Sequence, residues 1–210
     1  MQVNPESPSF FSNHLGRILL LSLEEIIGRN GVNAVLNSAG LTFMIGSYPP
    51  ADEEKAFPAG YVAKMMESLE VVYGLRAGRG LAQRAGAVGF RLILRAFSED
   101  LGLASMEFRL APLAQKMALF LGALSDFFAQ NAALPLAVSE EGARFLLQMD
   151  GCAFCFQRKA DVPVCHWLVG LLQEAFYWLS GGKYFNVVEI DCTAVGDAQD
   201  VIVIDKQSLD

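Results

Sequence analysis

Cys165-His166-Trp167-Leu168-Val169-Gly170 opens an apolar run that ends at Ser180-Gly181-Gly182, and Val187-Val188-Glu189-Ile190-Asp191-Cys192 follows close behind it. The first segment is too long and too continuously apolar for a strand, and its double glycine is a helix stop. The second is short and β-branched, so it reads as a strand over Tyr184–Cys192. A Gly196-Asp197 turn comes next, and Val201–Ile204 reads as the returning strand. Upstream, Leu134–Val138 and Ala143–Met149 read as two more strands around a Ser139-Glu140-Glu141-Gly142 turn.

The order strand, strand, helix, strand, strand is preceded by about 130 residues of helical pattern. A helix runs from Asn13, as its cap, through Ile27, and a glycine break at Gly28 to Gly31 separates it from a shorter helix over Asn33–Ala39. Further helices are expected over Tyr61–Tyr73, Leu81–Phe97 and Leu113–Gln130. Residues 1–12 read as a loose arm, and Phe43–Phe57 as a connecting loop. Segregated elements of this kind predict an α+β fold, with a twisted antiparallel sheet of about four strands packed against a helical layer. The chain reads as one domain over 1–210, with a helical part at 1–131 and the strand-rich part at 132–210. Gly86 and Gly89 inside a helix cost roughly 1 kcal/mol each against alanine, and the expected compensation is a close helix crossing.

The chain has 210 residues, 53% of them hydrophobic and 19% charged, with a net charge of −7. That balance argues against broad affinity for nucleic acid or an anionic membrane. The most apolar window, Met117–Leu136, contains Asp126, Gln130, Asn131 and Pro135, so no membrane span is expected. No export signal is evident at the N-terminus. The reading is therefore cytoplasmic, with reduced cysteines whose clustering favours a metal over disulfides.

All four cysteines lie between Gly151 and Ile204. Cys152-x-x-Cys155 with Cys165-His166 is one possible set of four ligands. Cys165, Glu189, Cys192 and Asp200 form a second. The second meets a geometric objection, because Glu189 and Cys192 point to opposite faces of a regular strand and need a twist, a bulge or a strand end near Asp191. With two histidines, His14 and His166, no catalytic constellation stands out.

The pattern Pro163-Val164-Cys165-His166 through Gly170, then Ser180-Gly181-Gly182, then Glu189-x-x-Cys192 with Gly196-Asp197, resembles the 4-vinyl-reductase domain family. That family is described as hydrocarbon-binding and has the fold of TRAPP vesicle-tethering subunits. The resemblance covers roughly residues 150–204. It implies zinc at Cys165, Glu189, Cys192 and Asp200, with aspartate standing where aromatic-sensing members have cysteine. It also implies an apolar or aromatic small-molecule ligand. The cavity wall is expected from Leu168, Val169, Leu172, Val187 and Val188, with Arg84 or Arg91 receiving any acidic group. A pigment-metabolism enzyme or carrier, or a structural dimerisation adaptor, is the alternative. The stripe Leu15, Ile18, Leu19, Leu23 and Ile26 is expected to seek a second copy, giving a homodimer.

Overall fold

The computed structural model describes residues 9–103, 105–132, 134 and 136–209. Eight residues of the expected N-terminal arm, 1–8, lie outside the described residues. Among the described residues, α-helices and strands follow in chain order: β1 (Phe10–Phe11), α1 (Asn13–Ser38), β2 (Phe57–Pro58), α2 (Ala59–Tyr73), α3 (Leu75–Phe97), α4 (Met106–Leu110), α5 (Leu113–Ala132), β3 (Leu136–Glu141), β4 (Arg144–Met149), α6 (His166–Leu179), β5 (Phe185–Asp191) and β6 (Asp200–Ser208), with a short 3-10 turn at Thr42–Met44 between α1 and β2. The class is α+β, as the periodicity predicted. The main sheet is antiparallel with strand order β3-β4-β6-β5. A two-stranded ribbon, β1 with β2, is an addition that two residues per strand are too short to announce.

Helix α1 begins one residue earlier in its capping than expected, because the Ser12 hydroxyl accepts from the Leu15 backbone N–H at 3.2 Å. It bends at Gly28, whose φ of 70° is the left-handed conformation that only glycine adopts without strain. Gly74 (φ 84°) separates α2 from α3 in the same way. The stripe expected to seek a second copy is covered by this chain instead: Leu15, Ile18, Leu19 and Leu23 are buried against α2 and α3. The dimer expectation loses the surface it rested on, since an amphipathic stripe looks the same whether its partner is internal or external.

Helices α3 and α6 cross at contact distance. A Cβ placed on Gly86 would lie 1.8 Å from the Trp167 carbonyl oxygen, and one on Gly170 would lie 1.9 Å from the Gln83 carbonyl oxygen. Glycine is required on both helices, each for the other's backbone. Gly89 makes room for the Trp167 ring in the same interface. Trp167 is fully buried, stacked 5.6 Å from Phe154, and its indole N–H donates to the Ser22 hydroxyl at 3.1 Å. This crossing fixes the N-terminus of α6, and Cys165 with it. Among the described residues no helix is long and apolar enough to cross a membrane.

Candidate metal centre

The loop after β4 makes two successive tight turns, with Cys155 N–H donating to the Cys152 carbonyl at 3.1 Å and Arg158 N–H to the Cys155 carbonyl at 2.9 Å. The turns direct both sulfurs toward Cys165, which precedes α6. Cys152 Sγ and Cys155 Sγ each lie 3.2 Å from Cys165 Sγ, and Cys155 Sγ lies 3.4 Å from Cys192 Sγ. Cys155 also donates to Asp200 Oδ1 at 2.9 Å. All four cysteines are buried free thiols.

Strand β5 resolves the objection about Glu189 and Cys192. Its register with β6 slips between Glu189 and Asp191, and the strand ends at Asp191, so Cys192 turns onto the side that Glu189 faces. Two overlapping groups result, Cys152, Cys155, Cys165 and Asp200, and Cys155, Glu189, Cys192 and Asp200. Within each, the ligand atoms lie within 4.8 Å of one another. The two ligand sets considered from spacing merge into one cluster centred on Cys155 and Asp200; His166 is not part of either group.

Neighbouring groups hold the ligands in place. Glu189 Oε2 accepts the Cys165 backbone N–H at 2.7 Å, tying β5 to the start of α6, while its buried Oε1 has no hydrogen-bond partner among the described residues. Thr193 donates to Asp200 from both its backbone N–H, at 2.9 Å, and its hydroxyl. Asp197 accepts the Cys192 backbone N–H at 2.8 Å. Asp197 belongs to the Gly196-Asp197 turn visible in the sequence; Thr193 carried no signal, because its role depends on where the chain turns after β5.

The electrostatics are those of a crowded, dry pocket. Hydrogen bonds from Cys155 and Cys165 bring the Cys152 thiol down to about 6. The neighbouring Cys152 sulfur, with burial, pushes the Cys155 thiol up to about 11. Burial drives Cys165 well above the ordinary thiol range. Burial also raises the Glu189 carboxyl to about 8 and raises Asp200. A cation held by these groups would bind in competition with their protons.

No family model matches the chain, and no curated protein matches it by sequence. Solved structures do. An H-NOX protein studied for haem distortion superposes with a TM-score of 0.61 at 11% identity, over 95% of this chain and 97% of that one. The fold is that of an H-NOX domain. An oxygen-binding H-NOX domain related to soluble guanylate cyclases gives 0.57 at 11% identity, over 92% of each chain. The phenol-responsive sensory domain of the transcription activator PoxR gives 0.53 at 16% identity, over 70% of this chain and 73% of that one.

These findings correct two expectations. The 4-vinyl-reductase resemblance is overturned, because no family model matches and the neighbours in structure are H-NOX domains and the PoxR sensory domain. A sparse pattern of cysteines and glycines reports turns and a close helix crossing, which unrelated chains share. Zinc came with that resemblance and falls with it, since H-NOX neighbours are named for haem.

Haem fits the residues poorly. Its iron takes an axial side chain, most often an imidazole, facing an open cavity. His14 packs its ring 4.7 Å from Phe97. His166 is half-buried beside Arg79 and Glu70, and burial and the Arg79 charge lower its pKa. Neither histidine lines the grooves beside Arg84, Lys116, Arg29 or Tyr61. The thiol cluster is compact enough for one ion and too compact for a macrocycle.

The remaining expected ligand-binding residues separate. Leu168, Val169, Leu172 and Val187 are core residues and line none of these four grooves, while Val188 is exposed on β5. Arg91 bridges Glu25 at 3.3 Å and Glu174 at 3.0 Å. Arg84 lines a groove of about 540 Å³ between α3, α6 and the end of β6. Within that groove Gln83 donates to Gln173 at 2.6 Å, and Tyr177 and Tyr184 pack 4.9 Å apart. The α3–α6 crossing that closes the core beneath Gly170 leaves this groove outside it.

Proposed function

We propose that this chain is a small-molecule-binding sensory domain braced by a single metal ion. The ion would sit among Cys155, Asp200, Cys165, Cys192, Glu189 and Cys152, linking the cysteine loop, α6, β5 and β6. The observation that carries this reading is that six buried side chains from four segments form two overlapping four-residue groups sharing Cys155 and Asp200. Burying two carboxylates among four thiols is costly unless their charge is compensated, and burial is the largest of the causes that raise Glu189 to about 8. A thiolate-rich set selects a soft or borderline cation. Such an ion braces the fold and leaves the chemistry of sensing to the ligand, in a compartment that keeps thiols reduced.

The groove lined by Arg84 is the place for that ligand on this reading. Its volume lies in the roughly 300–1,000 Å³ range of small-molecule sites. The tilted tyrosine pair offers aromatic surface and Arg84 a cation for an acidic group.

The experiment is Co²⁺ titration of protein stripped of metal under reducing conditions. Thiolate-to-cobalt charge transfer in the near ultraviolet should saturate at one equivalent, with a rise in Tm, and Cys155→Ala should lose both. A Co²⁺ spectrum without sulfur ligation, or equal uptake by Cys155→Ala, would overturn the metal reading.

A further inference from the structure

Another groove lies away from the thiol cluster and from Arg84. It opens between α4, the first turn of α5 and the end of α6, with a volume of about 520 Å³. Its wall is Leu103, Phe108, Arg109, Lys116, Trp178 and Leu179. We propose that this groove binds an amphiphilic carboxylate, with the anionic head between Arg109 and Lys116 and the apolar body along Trp178 and Phe108. The proposal does not depend on the metal centre.

Charge makes the first part of the argument. The chain carries 23 acidic residues against 16 basic ones, so a cation on its surface has carboxylates to choose from. Yet no ion pair to Arg109 or Lys116 occurs among the described residues, and both side chains enter one groove. Glu107, the acid on α4, is not part of the wall. Two unpaired cations and no carboxylate in the lining leave a local positive potential in an acidic protein, which selects an anion.

The rest of the wall determines what kind of anion. Phe108 and Leu103 are 8% exposed and close the bottom, while Trp178 is 45% exposed with one side packed on Phe90 at 6.1 Å. Met106 and Leu110, 77% and 78% exposed, stand beside the groove on the same short helix. Apolar area of this kind gains nothing from inorganic phosphate. It gains roughly 25 cal/mol per Å² from a hydrocarbon or aryl body that covers it. A carboxylate head suits a site with one guanidinium and one ammonium, since the guanidinium can grip two oxygens and the ammonium adds a point charge.

The molecule carries its own reporter. It has two tryptophans: Trp178 in the groove, and Trp167, 1% exposed under Phe154. The full chain is titrated with decanoate, 4-butylbenzoate, decanol and inorganic phosphate while tryptophan emission is followed. Decanoate or 4-butylbenzoate should shift the emission saturably, and the stronger of the two distinguishes an aliphatic from an aryl body. Trp178→Phe should lose the response. The double variant Arg109→Gln with Lys116→Gln should weaken carboxylate binding at least tenfold, with unchanged urea unfolding, while Arg84→Gln leaves it intact. The proposal is overturned by no saturable response to either carboxylate, by decanol matching decanoate, by phosphate alone saturating the signal, or by the weakening following Arg84→Gln instead.

Discussion

Gly86→Ala puts a single methyl group at the α3–α6 crossing, 1.8 Å from the Trp167 carbonyl oxygen and 2.8 Å from the Leu171 backbone nitrogen. Ordinary contact between such atoms needs about 3.4 Å or more. Because the obstructing atoms are backbone, no rotamer change relieves the overlap, and α3 and α6 must move apart by more than 1 Å. That motion loosens the seat of Trp167 against Gly89 and the Ser22 hydrogen bond, and it shifts Cys165 at the start of α6. Overpacking costs typically about 1–3 kcal/mol, and because two helix backbones must move here we take the upper end and beyond, about 3–5 kcal/mol. Alanine returns roughly 1 kcal/mol of helix propensity. We expect a net loss of about 2–4 kcal/mol, which for a chain of this length lowers Tm by roughly 5–15 °C. Gly80→Ala is the matched control, since it lies in the same helix with nothing within 4 Å of its added Cβ, and it should raise stability by up to about 1 kcal/mol. Urea unfolding followed by circular dichroism reads both. A Gly86→Ala protein as stable as wild type would refute the crossing geometry, and one that matched Gly80→Ala would show that propensity alone governs the position.

Further outcomes follow from the buried polar groups. In metal-free protein the Glu189 carboxyl, raised to about 8, keeps in the folded state a proton that the unfolded chain releases near pH 4.5. It therefore costs stability as pH rises from about 4.5, and between pH 4.5 and 6 the loss reaches about 2 kcal/mol. Above pH 6 the Cys152 thiol, lowered to about 6, acts with the opposite sign and offsets it. Glu189→Gln should thus gain on wild type across pH 4.5–6, and a constant difference between the two would contradict this assignment. Glu70→Ala strips the 2.9 Å partner from Arg158, whose side chain is 5% exposed, so unfolding should weaken by roughly 3–5 kcal/mol; a change below 1 kcal/mol would mean that Arg158 finds water. Asp200→Cys replaces a hard ligand by a soft one and should slow the loss of Co²⁺ to a chelator, an expectation that equal rates in the two proteins would defeat.

Local chemistry made much of the fold legible. Helical runs closed by glycine, alternating β-branched strands and their segregation along the chain lead to an α+β architecture, because these patterns depend on neighbours within about ten residues. The glycines of α3 announced a close crossing by their cost alone, and the structure supplies its partner in α6. The α1 stripe announced burial but not against what, since an apolar face carries no label for its partner; α2 and α3 supply it.

The site depended on distant parts of the chain meeting. Spacing placed Cys152 and Cys155 in one candidate ligand set and Glu189 and Asp200 in another. Only the slip in the β5–β6 register and the docking of α6 bring both onto a single cluster. The two grooves were beyond local reading for the same reason, as each is walled by helices far apart in sequence. Leu168 and Leu172 looked like a cavity wall and are core, because an aliphatic side chain has the same sequence signature on either side of a packed layer. Composition and periodicity determine which residues leave water; the tertiary packing decides which of them meet, and where space is left between them.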